Sequence, residues 1–343
     1  PSPVTVGVTL TGRDPVTVWN LVNPGYGPVA LNEGVGVPPW ALQSAVWADF
    51  TRNSGPMPTP TVTASARYAL NSSGVWAPFG ANVLARTDLG IQTQPSKTNL
   101  FLTPLAAATQ TITISNATQY TVAVFGSGSV VLSGAGTGTA TDGSPVTFTS
   151  GSTSLTCTVS GSPFCVNVTA GAFTGPPIVG AVTGDVLVFD LSGRLTLGVS
   201  GFIQADIKQA TFTSTPWILD FNDGSGNNRF SLFHLSGNLT AQINTGSVSQ
   251  GTVTIGAMPT GLTTIAFAGG TNFFSGRIVG VSNPTPDTVA TWPTISKGSF
   301  GGSGVTAATN TYMVTKKWAL WFGAQDATTL AAAYDKAVLA AAS

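Results

Sequence analysis

A chain of 343 residues is long enough for two hydrophobic cores, and its 42% hydrophobic content marks a folded chain despite 41 glycines and 22 prolines. Only 8% of its residues are charged, against roughly 25% in an average soluble domain, so its solvent face is built from Ser, Thr, Asn, Gln and Gly. Thirteen basic residues balance thirteen acidic ones with no basic stripe, which excludes nucleic acid as a partner, and the longest apolar stretch is broken by Asp335 and Lys336, which excludes insertion into a membrane as a spanning helix.

Residues 1–44 hold seven prolines and little alternation, so they read as an extended arm. Trp19, Tyr26, Trp40 and Leu42 are too few for a core of their own, and the arm is expected to dock on the body or on a neighbouring subunit. It starts with Pro1-Ser2-Pro3-Val4, without the basic start and apolar run of a secretory signal; a processed chain would lack them too, and localisation stays open. Residues 45–104 follow as lead-in strands and a hairpin of the main body.

From 105 to 178 the chain runs in short alternating segments: Ile112 and Ile114, Tyr120 with Val122 and Val124, Val130 with Leu132, Val146 with Phe148, then Leu155 to Val168. Turns at Gly134 to Gly138 and at Asp142-Gly143-Ser144-Pro145 separate them, the pattern of a small antiparallel sandwich or jelly roll. Cys157 and Cys165 flank Ser160-Gly161-Ser162-Pro163, which reads as a hairpin turn. Cys157 is in phase with Leu155 and Val159, whereas Cys165 is out of phase with Val166 and Val168. Two unbridged thiols on opposite faces are therefore favoured over a cross-strand disulfide.

Gly175-Pro176-Pro177 precedes a longer series over 179–343, with strands expected at Val186 to Leu191, Leu195 to Val199, Phe202 to Ile207, Trp217 to Phe221 and Phe230 to Leu235. Further ones follow at Leu239 to Ile243, Val248 to Ile255, Leu262 to Phe267, Phe274 to Val281 and Met313 to Trp321. Without helical periods between them, these strands indicate antiparallel sheets. One helix is expected at the end, capped by Asp326, with Leu330, Ala333, Tyr334 and Ala337 on one stripe. The fold class is all-β: a small jelly-roll-like sandwich inserted beside a larger one, with an arm and one C-terminal helix.

Trp47-Ala48-Asp49-Phe50-Thr51-Arg52, Ala66-Arg67-Tyr68 before Gly74-Val75-Trp76, and Arg86-Thr87-Asp88-Leu89-Gly90 running into Gln94-Pro95-Ser96-Lys97-Thr98-Asn99-Leu100 come in a telling order. They are followed by Leu219 to Gly224, Asn227-Asn228-Arg229-Phe230, Thr264 to Ala268 and Trp318-Ala319-Leu320-Trp321. This order resembles tailed-phage structural proteins that carry a laminin-G-like (concanavalin A-like) sandwich with a small β-sandwich insert; Gln94 stands where that family has Glu. The resemblance covers most of residues 45 to 335. It implies a virion-surface protein, a tail fibre, receptor-binding protein or capsid decoration, assembled in the host cytoplasm. It also implies an arm bound to other virion proteins and a homo-oligomer. A secreted, extracellular bacterial lectin or adhesin is the alternative, with sequons at Asn71, Asn116, Asn167 and Asn238, and a polysaccharide depolymerase a third class.

No nucleophilic or acid-base motif surrounds the single histidine, His234, which reads as a solvent-facing or hydrogen-bonded strand residue, and the single glutamate, Glu33, lies in the arm. No enzyme is expected, and no cofactor apart from calcium. Asp220 and Asp223 are the nearest carboxylate pair for glycoside hydrolysis, yet Asn222-Asp223-Gly224 is the composition of a hairpin turn. A calcium site on Asp220, Asn222 and Asp223 fails the strict loop pattern at Gly224 and Ser231, although laminin-G-like sandwiches hold calcium at loop rims. For host-glycan binding the candidates are Trp217, Asn222, Asn227, Asn228, Asn272, Phe273 and Trp292, aromatic faces and planar amides near loops and strand ends. Trp318 and Trp321 are expected in the core or under the last helix.

Overall fold

The computed structural model describes residues 46–208, 215–282, 284–305 and 311–322. Within them every regular element is a β-strand and every ladder between strands is antiparallel. The arm over 1–44, with Glu33, and the helix expected from Asp326 lie outside the described residues.

Two seven-stranded sheets form the larger sandwich. The back sheet runs Phe273–Ile278, Gly261–Gly270, Val199–Ile207, Met313–Phe322, Gly90–Thr93 and Arg86–Thr87, with Val46–Asp49 also paired to Met313–Phe322. The front sheet runs Thr61–Thr63, Val186–Asp190, Lys297–Phe300, Trp217–Asn222, Arg229–Leu235, Asn238–Thr245 and Val248–Ala257. Alternation sends Phe189, Phe221, Phe230, Leu232, Ile243 and Phe300 inward from the front, to meet Ile203, Ile265, Phe267, Trp318 and Leu320 from the back. Aromatic rings bridge the sheets, Phe189 to Trp318 at 5.0 Å and Phe221 to Phe267 at 5.7 Å between centroids. Each such ring, fully buried, contributes roughly 1.5–3 kcal/mol. Close packing leaves no room for a side chain at Gly269, where a Cβ would lie 2.7 Å from Trp292 Cζ3.

Lys97–Thr98 pairs with Ala181–Val182, and between these two short strands the chain builds the smaller sandwich. Its four-stranded sheet (Gly138–Thr141, Gly128–Gly134, Ser154–Gly161, Gln110–Thr113) encloses a core with the three-stranded sheet of Val146–Thr149, Gln119–Phe125 and Cys165–Ala170. At the neck, buried Asn99 donates from Nδ2 to the Val166 and Ile178 carbonyls (2.9 and 2.8 Å) and accepts at Oδ1 from the Phe101 and Val168 amides (3.0 and 2.8 Å). The outer side of the three-stranded sheet docks on a separate two-stranded hairpin, Arg67–Leu70 with Trp76–Phe79, where Phe125 meets Trp76 edge-on at 5.4 Å beside Ala123 and Cys165.

Three local expectations are corrected. Ser160 to Pro163 is not a hairpin turn: Ser154–Gly161 pairs with Gly128–Gly134 and Gln110–Thr113, Cys165–Ala170 pairs with Gln119–Phe125, and the connection crosses from one sheet to the other. Cys157 faces the small core and Cys165 the docking side; both are buried free thiols, and burial pushes each up to about 12. Leu195 belongs to a connection and not to a strand, since pairing starts at Val199. Lys297–Phe300 is a strand that apolar alternation did not reveal, because only its last residue is strongly apolar.

Candidate functional site

The front sheet buries residues on both of its faces. In Trp217–Asn222 and Arg229–Leu235 the residues between the inward phenylalanines and leucines are buried too, and they are polar: Asp220, Asn222, Arg229 and Ser231. Antiparallel register lines up the outward residues in rows. One row runs Asp190, Lys297, Asn222, Arg229, Asn244, Ser249. The next runs Ser299, Asp220, Ser231, Gln242, Thr252. A third runs Trp217, Phe233, Thr240, Thr254. Burial is complete at Asp220 and Ser231 and fades through half-buried Gln242 and Asn244 to exposed Thr252 and Thr254.

A register shift between Trp217 and Leu219 aims the indole outward. Strict alternation from Leu219 would have turned Trp217 into the core. Instead its ring packs on Phe233 at 4.9 Å, and the Arg229 guanidinium carbon sits 4.6 Å from its centroid, a cation–π contact. Asp220 receives Asn222 Nδ2 at 2.9 Å and has Arg229 Nε at 4.0 Å. Burial pushes its carboxyl up to about 7 against the pull of Arg229 and of the Asn222 bond. The segment Gly301 to Gly304 lies against part of this face: Asn222 Nδ2 donates to the Ser303 carbonyl (3.0 Å) and Ser299 Oγ to the Gly302 carbonyl (2.9 Å).

The expected sugar residues fall into separate places. Trp217 and Asn222 share the front sheet's outer face. Asn227 and Asn228 lie in the turn after Asn222, where Asn228 Nδ2 donates to Asp223 and Asn228 Oδ1 accepts the Gly246 amide (2.9 Å). Asn272 occupies the turn before Phe273–Ile278 with φ 59°, and Phe273 is buried. Trp292 packs against inward Phe230 at 5.8 Å and donates from Nε1 to the Leu195 carbonyl (2.7 Å), so it supports the core.

The candidate metal donors are engaged within the protein. Asp223 Oδ1 accepts the Ser225 amide and hydroxyl (2.8 and 2.6 Å), and its Oδ2 accepts Asn228 Nδ2 (2.8 Å). Asn222 Oδ1 accepts the Gly224 amide (2.8 Å). At Gly224, with φ +95°, a Cβ would lie 2.6 Å from Lys297 Nζ, which sets an ammonium group beside the turn. This is the bonding of a hairpin turn: the Asp223 and Asn222 oxygens are already used and buried Asp220 Oδ1 faces the Arg229 guanidinium, a set that does not fit a calcium ion. His234 Nε2 accepts the Gly237 amide (3.0 Å), a hydrogen-bonded strand histidine.

Sequence reasoning passed over Arg229, Ser231, Gln242 and Asn244. The available signal was their place between inward residues, in Arg229-Phe230-Ser231-Leu232 and Ala241-Gln242-Ile243-Asn244. Read strand by strand, such positions look solvated; only the register brings them together.

No family model and no curated protein matches the chain. Among solved structures, the NanB sialidase from Streptococcus pneumoniae matches with 15% identity and a TM-score of 0.32 over 39% of this chain and 24% of its own, so the chain spans about a quarter of that structure. A structure of botulinum neurotoxin type C, whose cell entry depends on interaction with two ganglioside molecules, matches with 11% identity and a TM-score of 0.35 over 48% of this chain and 41% of its own. A carbohydrate esterase from Shiga toxin-encoding bacteriophage phi24B matches with 17% identity and a TM-score of 0.28 over 43% of this chain and 82% of its own.

Proposed function

We propose that this chain is a virion-surface protein of a tailed phage that binds uncharged host-surface glycan on the outer face of its front sheet, without catalysis. One observation carries the binding reading: half-buried Trp217, aimed outward by a bulge, stands at one margin of aligned hydroxyl and amide side chains. An aromatic face stacks on the apolar face of a sugar ring while neutral amides and hydroxyls exchange hydrogen bonds with its hydroxyls, and an 8% charged chain has little other means of recognition. The virion reading draws on the resemblance of the motifs between Trp47 and Trp321. Asp220 is sealed from solvent and Asp223 is tied into its turn, which favours binding over glycoside hydrolysis.

A host-glycan array, run together with light scattering, tests this reading. Specific binding that Trp217→Ala abolishes, by a discrete homo-oligomer that co-sediments with phage particles, is the expected result. Binding without co-sedimentation would turn the reading to a secreted adhesin. Absence of glycan binding with co-sedimentation would leave a decoration protein. Trp292→Ala is a poor substitute variant, because its ring packs against Phe230.

A further inference from the structure

We infer that a cleft at the neck, where Lys97–Thr98 pairs with Ala181–Val182, is a second binding site that takes a single-ring organic carboxylate on the Lys97 ammonium. This site is distinct from the front sheet and does not depend on the glycan-binding reading above. The cleft has a volume of about 420 Å³, within the ~300–1,000 Å³ range of small-molecule sites. Lys97, Leu100, Tyr120 and Val182 line it, and exposed Ser96, Thr98 and Ala170 stand around it, so it is open to solvent.

The half-buried Lys97 side chain is fixed in place. Its Nζ donates to the Ala170 carbonyl at 3.2 Å and lies 5.2 Å from the centre of the Phe173 ring. Phe173 is itself buried in a cluster with Ile178, Val182 and Tyr312. Among the described residues no carboxylate forms an ion pair with this ammonium. The carbonyl and the ring occupy at most two of its three N–H groups, which leaves a donor and an unbalanced charge for a guest. Partial removal from water makes the charge costly, and burial accordingly lowers the Lys97 pKa from the ordinary lysine value. An anion beside it offsets that cost.

Charge and lining limit the guest. A metal cation would meet the ammonium directly. No second basic residue lines the cleft, so a phosphate dianion would leave one of its charges unmatched. A neutral sugar could accept an N–H bond but would leave the ammonium uncompensated. A carboxylate matches the single charge and accepts a charge-assisted hydrogen bond. Leu100 and Val182 give the body of the guest an apolar wall, and Ser96 and Thr98 place hydroxyl groups at the opening. The same chemistry is carried by a uronic acid residue of a polysaccharide and by a non-sugar acid.

The test uses the full chain and saturation-transfer NMR titration with two pairs of probes, methyl glucuronide against methyl glucoside and benzoate against benzamide. Each pair keeps the ring and changes the charge. At least one carboxylate is expected to bind saturably and about tenfold tighter than its neutral counterpart, the worth of one charge-assisted bond at a partly exposed site. Stronger binding of the glucuronide assigns a sugar acid as the guest, and stronger binding of benzoate a non-sugar acid. Lys97→Met keeps the apolar stem, removes the charge and is expected to lose the same factor with an unchanged melting curve. Should that variant melt early, the unaltered chain supplies the readout: the bound carboxylate is expected to slow acetylation of Lys97 by acetic anhydride and to leave that of exposed Lys208 unchanged. Failure of both carboxylates to bind, equal binding of carboxylate and neutral probes, or carboxylate binding that leaves Lys97 acetylation unslowed overturns the site.

Discussion

The four-stranded sheet of the smaller sandwich and the front sheet of the larger one treat their outer faces differently. In the smaller one, Ser154–Gly161 alternates between buried Leu155 and Cys157 and exposed or half-buried Thr156 and Thr158, and its outward Thr156 meets Thr111 across the sheet at 3.0 Å in solvent. In the larger one, outward Asp220, Asn222, Arg229 and Ser231 are buried beside the inward residues of the same strands, and they include a carboxylate and a guanidinium. A one-sided sheet is complete once its core face is covered. Burying charge on the second face opposes stability unless partners compensate, so the front sheet carries a cost that this four-stranded sheet avoids, at the place where we locate binding.

The largest expected effect comes from breaking the pair on the buried face. Arg229→Ala leaves Asp220 without its cation and is expected to destabilise by about 3–5 kcal/mol at pH 8, read by chemical denaturation. The deficit should shrink as the pH falls through 7 and Asp220 takes up a proton. A loss below 1 kcal/mol at pH 8 would mean that the front face is no more demanding than the small sandwich.

Next in size is the neck between the two units. Asn99→Ala removes four bonds from the backbone amides and carbonyls around the smaller sandwich and is expected to cost about 2–3 kcal/mol, less than the sum of four isolated bonds because some freed groups find water. If its unfolding splits into two transitions, the sandwiches are coupled mainly through Asn99; a single shifted transition assigns that coupling to the Trp76–Phe125 docking contact.

A smaller effect is read against pH. The Asp220 carboxyl, raised by burial from an ordinary 3.8 to about 7, holds its proton more tightly in the folded chain than in the unfolded one. Its contribution is therefore full below about pH 4 and is lost as the pH rises through 7. Stability should fall across that window, and Asp220→Asn should flatten the fall. Part of the slope should survive, because burial also raises Asp185 to about 7 against the pull of Arg67 at 3.1 Å. An unchanged slope in Asp220→Asn would show that this carboxyl stays ionised when folded. The smallest effect belongs to the small sandwich: Thr156→Val on its outer face should change stability by no more than about 0.5 kcal/mol. A larger loss would remove the contrast between the two faces.

Much of the fold was legible residue by residue. Alternation marked the strands from Ile112 to Val168 and most of those from Val186 to Trp321, because a half-buried strand writes its burial at every second position. The turn at Asn222-Asp223-Gly224 was legible from its composition, and its side-chain bonds are those expected of a hairpin. The role of Asn99 was not legible, since Asn99 and Phe101 meet Val166, Val168 and Ile178 there only after the insert folds. The candidate site was half legible. Trp217 and Asn222 stand on it, whereas Phe273 and Trp292 were chosen for being aromatic near chain bends and turn out to be buried or packed on the core.

What the sequence alone determined is therefore the all-β class, the low-charge polar surface and the positions of most strands, since propensity, alternation and turn chemistry act over a few neighbouring residues. Tertiary structure decided which strands pair, that the cysteines lie in different sheets, and that Arg229, Ser231 and Asn244 gather around Asp220. Register sets those outcomes, and register is a relation between strands that no single strand contains.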